Sequence, residues 1–352
     1  MLVGAFASRS NVRLEVRRTD GVRGILELPA ELETRAKAVD SVIEQALSSE
    51  SRHLARPRDH VLATRGKGLR PTLLILWAWA QAGTGGTPEE ARARAAVDVA
   101  AAAELVHMAS LVHDDVIDGS PTRRGLQTAN ALFGARPSVL LGDFLFARAF
   151  ELLARHKDFG VVELMTDAIS AMCEGELEQA ACAFSCDETE DAYLRRITLK
   201  TARLIQACCH AGAIIGGASQ DGIANAREFG LELGIAFQLT DDALDFIADE
   251  RELGKPTCQD LVCGVLTLPI LRLLSNESLG PRARQVIESR RFDPDTILWM
   301  RSAVVECGGV DLTYQRAREC LERAAACASK LPDGPARDAL AAITRHVITR
   351  KR

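Results

Sequence analysis

Two acidic clusters, each set inside apolar helical sequence, constrain this 352-residue chain more than any other feature. Residues 114–118 read Asp-Asp-Val-Ile-Asp, and residues 241–245 read Asp-Asp-Ala-Leu-Asp. Asp is a modest helix former, and like charges one helical turn apart destabilise a helix. Desolvation adds to this penalty where the carboxylates are buried. We therefore expect the two clusters to face each other and to hold divalent metal over a diphosphate.

The ligand type indicates which metal to expect. Carboxylate oxygens suit a hard cation, and Mg²⁺ typically takes one or two carboxylates together with phosphate oxygens. The expected ion is Mg²⁺, with Mn²⁺ as a substitute. A single cluster could equally be a solvated acidic helix end, but two copies in apolar helices favour metal. The candidate ligands are Asp114, Asp115, Asp118, Asp241, Asp242 and Asp245.

Cationic and imidazole side chains accompany the clusters. Lys67 and Arg70 come at a predicted helix start, where positive charge opposes the helix dipole. His107 falls on the same helical stripe as Asp114 and Asp118. Taken separately, the first two could be solvated surface cations and His107 a core histidine. Arginine pairs and lysines suit phosphate recognition, which predicts a highly anionic ligand. The full set is Lys67, Arg70, His107, Arg123, Arg124, Lys200 and Lys255.

Helical periodicity accounts for nearly all of the chain. Apolar residues recur at helical spacing from residue 31 onward, only 5% of residues are aromatic, and no stretch alternates convincingly as a strand would. We expect an all-α protein, a large bundle of ten or more helices. The patterns predict helices over 31–55, 89–118, 191–216 and 222–248, a loop over 249–268, one domain over 29–352 and a poorly ordered N-terminal extension over 1–28.

Composition excludes several other classes of protein. A net charge of −5 argues against a general nucleic-acid binder. No apolar run approaches the roughly 20 residues of a transmembrane span. The ten cysteines include no Cys-x-x-Cys pair, which favours free thiols in a reducing, cytoplasmic setting.

Seven short blocks, spread over about residues 30–350, resemble the trans-isoprenyl diphosphate synthases, also called polyprenyl synthetases, and especially their medium- and long-chain members. The blocks occur in the family's order, which makes the resemblance specific. They are residues 66–71, 107–125, 142–145, 175–179, 200–201, 237–242, and 254–256 together with 267–269.

The resemblance implies the isoprenoid-synthase fold, with helices around a central cavity, usually as a homodimer. It implies head-to-tail, all-trans condensation of isopentenyl diphosphate with an allylic prenyl diphosphate, giving a polyprenyl diphosphate of geranylgeranyl length or longer. It leaves open a peripheral membrane contact for product release. Asp114, Asp118 and Asp241 would be the leading metal ligands and, with Lys200 and Arg123, the catalytic residues. Lys67, Arg70, His107 and Arg124 would bind isopentenyl diphosphate; Arg123, Lys200, Thr201, Gln238 and Lys255 would bind the allylic diphosphate.

Two small residues bear on product length. Ser110 and Ala109 are the fourth and fifth residues before Asp114. Short-chain members of the family often carry an aromatic there, which acts as a floor for the growing chain. The small pair leaves the tunnel open and favours a product longer than farnesyl.

The chain departs from the family's pattern at two positions. Val265 stands where many members have lysine, and Cys258 stands where a glycine is common. The missing cation suggests weaker diphosphate capture or a different loop closure, and it leaves the acidic clusters unchanged.

Four alternatives remain open at this point. A short-chain farnesyl or geranylgeranyl diphosphate synthase differs only in product length. A class I terpene cyclase would not need the residues expected to bind isopentenyl diphosphate, and a regulatory subunit should lack complete acidic clusters. A di-iron bundle needs two Glu-x-x-His motifs, and only residues 104–107 supply one.

Overall fold

The computed structural model describes residues 30–66, 68–81, 89–247 and 257–349. The expectations for the extension over 1–28, for Lys67 and for Lys255 lie outside these ranges. Within them the chain forms sixteen α-helices, one π-helical segment and one two-stranded antiparallel hairpin. The prediction of an all-α protein with ten or more helices is confirmed.

The helices of the first half are α1 (Ala30–Ala46), α2 (Arg52–Ala63), α3 (Leu69–Ala80), α4 (Glu90–Ile117), α5 (Ala129–Phe133), α6 (Ala135–Ala154) and α7 (Phe159–Ala181). Strands β1 (Thr122–Arg123) and β2 (Leu126–Gln127) lie between α4 and α5.

The second half contains α8 (Glu190–Ile197), a π segment (Thr198–Ala202), α9 (Arg203–Gly216), α10 (Gln220–Ile247), α11 (Gln259–Val262), α12 (Leu268–Leu274), α13 (Gly280–Ser289), α14 (Pro294–Glu306), α15 (Gly309–Ser329) and α16 (Pro335–Thr349).

Several predicted boundaries were wrong. The helix predicted over 31–55 is two helices, because the polar run 48–51 (Ser-Ser-Glu-Ser) has no apolar residue to continue the buried stripe. The helix predicted over 191–216 is interrupted by the π segment, and the loop predicted over 249–268 contains α11. The hairpin β1–β2 was missed, because strands of two residues are too short to show alternation.

Helix α4 forms the centre of the core. Residues 99–106 are all at most 2% exposed, and six of them are alanines or valines on several faces. The helix is long and apolar enough to cross a membrane by length and composition, yet 78% of its most apolar window is buried inside the protein. It therefore has the pattern of a core helix.

Helix α9 links the two halves of the molecule. It packs against α3, α4, α7 and α10. Helices α4 and α10 each end at one acidic cluster, and both pack against α9. A shared neighbour of this kind fixes the two cluster-bearing helices relative to each other.

Candidate active site

The first acidic cluster lies at the C-terminal end of α4. The backbone N–H of Asp118 donates to the carbonyl of Asp114 at 2.8 Å, so the two side chains are one helical turn apart on one side. Burial raises the pKa of Asp114 to about 6 and also raises the pKa of Asp118, while Lys200 opposes both shifts. Negative charge here also opposes the helix dipole. The two carboxylates are thus compensated only in part.

The middle residue of this cluster has a protein partner. Asp115 is 4% exposed, and its Oδ1 accepts from Nε and Nη2 of Arg123 at 2.9 and 2.8 Å. Arg123 lies on β1, so this pair fixes the hairpin to the end of α4. The role of Asp115 as a metal ligand stays a prediction, and its contact in this structure is with Arg123.

A hydrogen-bond chain organises the second cluster. Asp242 is 2% exposed and accepts from the Tyr193 hydroxyl at 2.6 Å and from Gln238 Nε2 at 2.7 Å. The Thr201 hydroxyl donates to Gln238 Oε1 at 2.8 Å. Burial, followed by the nearby Asp260, raises the pKa of Asp242 to about 8. These hydrogen bonds therefore join three residues predicted for the site, and they add Tyr193, which the sequence did not single out.

The π segment places Lys200 beside the clusters. Lys200 Nζ forms an ion pair with Glu176 Oε2 on α7 at 2.5 Å. A Cβ at Gly175 would lie 2.8 Å from the backbone nitrogen of Lys200, and a Cβ at Gly234 would lie 2.6 Å from Cα of Ala202. Only glycine allows α7 and α10 to approach the segment this closely. Short π-helical turns are frequent at functional sites.

Asp260, on the short helix α11, was missed by the sequence reasoning. It acts to raise the pKa of both Asp118 and Asp242, so it lies near both clusters. The clusters share this neighbour, as two clusters that face each other would. The only sequence signal was its place between the blocks 254–256 and 267–269.

A group of arginines surrounds His107. Burial, followed by Arg70, Arg124 and Arg123, lowers the pKa of His107 well below its usual range, so its imidazole is neutral at neutral pH. Arg124 Nη1 donates to the carbonyl oxygen of Thr64 at 2.7 Å. The Nε of Arg70 is buried and has no hydrogen-bond partner among the residues described. An orphaned donor among clustered arginines fits an anion-binding site.

The acidic residues fit a hard divalent cation bound together with a ligand. In the described part of the chain, no three His, Cys, Asp or Glu side chains form a ready metal cluster. Mg²⁺ does not require one, because it keeps waters and commonly uses one or two carboxylates plus substrate phosphates. Partly compensated, buried carboxylates such as Asp114 supply oxygen donors of the right type.

The two small residues before the first cluster differ in surroundings. Ser110 is half-buried, and its hydroxyl donates to the carbonyl of His107 at 2.9 Å. Ala109 is 0% exposed. Ser110 is therefore partly accessible, whereas Ala109 is packed within the core.

Comparison with known proteins decides the family. The family model described as "Polyprenyl synthetase" matches residues 51–302. This chain belongs to the polyprenyl synthetase family. It is 35% identical to octaprenyl diphosphate synthase of Escherichia coli over 320 residues, which is 89% of this chain and 95% of that protein. The predicted family and the class of enzyme, a prenyltransferase, are confirmed.

Solved structures of the same family share the fold. A polyprenyl synthase from Caulobacter crescentus, solved with calcium and isoprenyl diphosphate, has a TM-score of 0.86 at 31% identity and covers 95% of this chain and 100% of its own. A decaprenyl diphosphate synthase from Rhodobacter capsulatus has a TM-score of 0.82 at 35% identity, with 92% and 98% covered. The predicted isoprenoid-synthase fold is confirmed, and a divalent metal is bound in one of these relatives.

The structure shows why glycine suits one of the two positions at which the chain departs from the family pattern. Cys258 has φ of 56°, in the left-handed region, and its N–H donates to the carbonyl of Asp245 at 3.1 Å. Glycine adopts this conformation freely, whereas another residue pays roughly 1–2 kcal/mol. Val265 is half-buried, and its N–H donates to the carbonyl of Asp260 at 2.8 Å. Its apolar side chain places no cation at this position beside Asp260.

Proposed function

We propose that this polyprenyl synthetase condenses isopentenyl diphosphate with an allylic prenyl diphosphate, head to tail and all-trans, in a Mg²⁺-dependent reaction. Its product would be a polyprenyl diphosphate of geranylgeranyl length or longer. The supporting observation is that the chain offers two kinds of site for a diphosphate: carboxylates that can bind it through metal, and arginines that can bind it directly. Two acidic clusters share Asp260 as a neighbour, and an adjoining arginine group surrounds a neutral His107.

The acidic clusters would serve the allylic substrate. Asp114, Asp118 and Asp241 are the leading residues to hold Mg²⁺, with Asp245 beside them and with Asp115 and Asp242 engaged by protein side chains. Bound Mg²⁺ supplies charge stabilisation for the departing diphosphate. Lys200 and Arg123 would add positive charge beside the oxygens of that diphosphate. Thr201 and Gln238 would orient the diphosphate.

The arginine group would serve isopentenyl diphosphate. Arg70 and Arg124 can bind phosphate oxygens in bidentate fashion. His107, held neutral by its neighbours, would donate one N–H without adding to the repulsion between the arginines. This division gives each diphosphate its own set of side chains, which the reaction of two anionic substrates requires.

Apolar surroundings would protect the reactive allylic cation. The stretch of α4 that precedes the clusters is apolar and almost fully buried at residues 99–106, so a substrate tail that entered beside it would be shielded from water. A dry cavity prevents hydrolysis of the cation before the isopentenyl double bond attacks. The proton lost afterwards would pass to the released diphosphate, the strongest base expected nearby.

We further propose a homodimer. Leu132, Val139, Leu140 and Phe150 are 37–60% exposed on α5 and α6. Large apolar side chains grouped on adjacent helices are typical of a protein–protein interface. The cytoplasm is the proposed location, supported by ten cysteines that are all free thiols. A peripheral membrane contact would let the long apolar product leave.

One experiment tests the activity directly. The purified protein is incubated with labelled isopentenyl diphosphate, Mg²⁺ and, in separate reactions, dimethylallyl, geranyl, farnesyl or geranylgeranyl diphosphate. We expect elongated products that vanish when a chelator removes the metal. Absence of any elongated product from all four primers would refute the proposed activity. Release of inorganic diphosphate with a cyclised hydrocarbon instead would favour the terpene cyclase alternative.

A further inference from the structure

Glu104 is a buried carboxylate that the proposed chemistry leaves without a role. It lies on α4 one turn before His107 and is 1% exposed. Acidic side chains are almost never buried so completely unless they are paired. Its Oε1 accepts from Nε of Arg65 at 3.4 Å.

Arg65 connects Glu104 to a second acid. Its Nη1 donates to Oδ1 of Asp40 on α1 at 2.6 Å, and the Arg65 side chain is only 14% exposed. Arg65 lies in the segment between α2 and α3, directly after Thr64, whose carbonyl accepts from Arg124. Thr64 and Arg65 are therefore held to α1 and α4 on one side and to the hairpin on the other.

Glu104 also acts on the next arginine along the chain. Burial lowers the pKa of Arg70, and Glu104 is the strongest of the groups that oppose this shift, ahead of Cys208 and Asp241. One carboxylate thus lies near two arginines that flank the start of α3. Asp40 pairs with Arg65, whereas Glu104 acts on both arginines. Without Glu104, the repulsion between Arg70, Arg65 and the arginines near His107 would lose its shared counter-charge.

We propose that Glu104 is a positioning residue that holds Arg65 and Arg70 in place, so that the site for isopentenyl diphosphate is assembled before this substrate arrives. This inference rests on the proposed function, because it assigns Arg70 to that substrate. Glu104 itself does not touch the substrate. It acts through the start of α3.

Positioning and simple charge tuning predict opposite results for Glu104→Gln. If the carboxylate only weakened the positive potential, its removal would strengthen diphosphate binding. If it holds the arginines in place, its removal weakens binding. We expect the KM for isopentenyl diphosphate to rise about tenfold, which is the loss of roughly one hydrogen bond to a charged group. The KM for farnesyl diphosphate should stay within about twofold, because the acidic clusters are untouched.

Arg65→Gln and the double variant complete the test. Arg65→Gln should reproduce the rise, and the double variant should show no further loss, because the two residues act as one unit. The matched control is Glu232→Gln. Glu232 is also buried, at 7% exposed, and it accepts two hydrogen bonds from Arg323 on α15. This variant should lose stability and leave both KM values unchanged.

Binding of inorganic diphosphate without divalent metal, measured by calorimetry, provides a readout independent of turnover. The affinity should fall about tenfold in Glu104→Gln and Arg65→Gln and should be retained in Glu232→Gln. An unchanged or lower KM and unchanged diphosphate affinity in a folded Glu104→Gln protein would overturn the proposal. If that variant does not fold, Arg65→Gln decides by the same criteria. An inactive wild-type enzyme would refute the proposed function alone, since the binding arm still tests the positioning.

Discussion

At the scale of single residues, the surroundings of Asp114 favour the protonated form of its carboxyl group. Its pKa is raised to about 6 from an ordinary value of 3.8, chiefly by burial. A carboxyl whose pKa is raised in the folded state favours folding when protonated. The stabilising contribution of protonated Asp114 to the free energy of unfolding is fully present below about pH 4, and it is lost as the pH rises through about 6. In the metal-free enzyme the loss amounts to about 3 kcal/mol at pH 7.5.

Asp114→Asn should therefore stabilise the metal-free enzyme at pH 7.5 while abolishing activity. The amide removes the penalty for a buried charge, so we expect a higher free energy of unfolding than in the wild type at pH 7.5 and little difference at pH 4. Chemical denaturation at both pH values measures this. Addition of Mg²⁺ with inorganic diphosphate should raise the melting temperature of the wild type by more than that of the variant, which keeps only the metal-independent arginine group.

The control for this prediction is Asp167→Asn, at an exposed position on α7. It should change the free energy of unfolding by less than about 0.5 kcal/mol at either pH. A metal-free Asp114→Asn protein that is less stable than the wild type at pH 7.5 would contradict the prediction, since the carboxylate would then be a stabilising group.

At the scale of elements, the π segment depends on the glycines that flank it. Gly175→Ala would place a Cβ 2.8 Å from the backbone nitrogen of Lys200. Because that contact is with main chain, the helix must shift, at a cost of about 1–3 kcal/mol. We expect kcat to fall at least about tenfold as Lys200 moves away from the clusters. Denaturation and steady-state kinetics measure the two effects.

Gly160→Ala, on the same helix, is the matched control. Its Cβ would come no closer than 3.4 Å to another atom, the Asp158 Oδ1. Alanine is the better helix former, so this variant should be neutral or up to about 1 kcal/mol more stable. If both alanine variants behave alike, close packing at Gly175 does not position Lys200.

The sequence predicted most helices and the two clusters, because both leave local patterns. The apolar stripe of α4 and the spacing of Asp114 and Asp118 are visible within a few residues. Tyr193 and Asp260 were missed, because their contacts come from distant segments and neither belongs to a periodic or charged motif. The π segment was missed for a similar reason: its extra residue per turn depends on tight packing against Gly175 and Gly234.

At the scale of the whole molecule, the depth of the cavity should set product length. Ser110 is only half-buried, so Ser110→Phe should shorten the product with little loss of stability. Ala109→Phe should also shorten it, but at about 1–3 kcal/mol because Ala109 is fully packed. Chromatography of the products measures chain length.

Size should matter more than chemistry at residue 110. Ser110→Ala should leave the product distribution as it is, and Ser110→Leu should give an intermediate length. If neither phenylalanine variant changes the distribution, the floor of the cavity lies elsewhere and the expectation from small residues before Asp114 is wrong.

The proposed dimer depends on the apolar face of α5 and α6, and two leucines of nearly equal exposure can test it. Leu140 on α6 is 60% exposed and belongs to that face, whereas Leu298 on α14 is 62% exposed. Helix α14 packs against α10, α12 and α15, away from α6. A glutamate at residue 140 would bury two like charges across a two-fold interface, which costs several kcal/mol.

We expect Leu140→Glu to be a monomer by light scattering and Leu298→Glu to remain a dimer. A dimeric Leu140→Glu protein, or a monomeric wild type, would show that this face is not the interface. Because α6 packs along α4, loss of the partner should also reduce activity, by exposing the far side of the helix pair that carries Asp114.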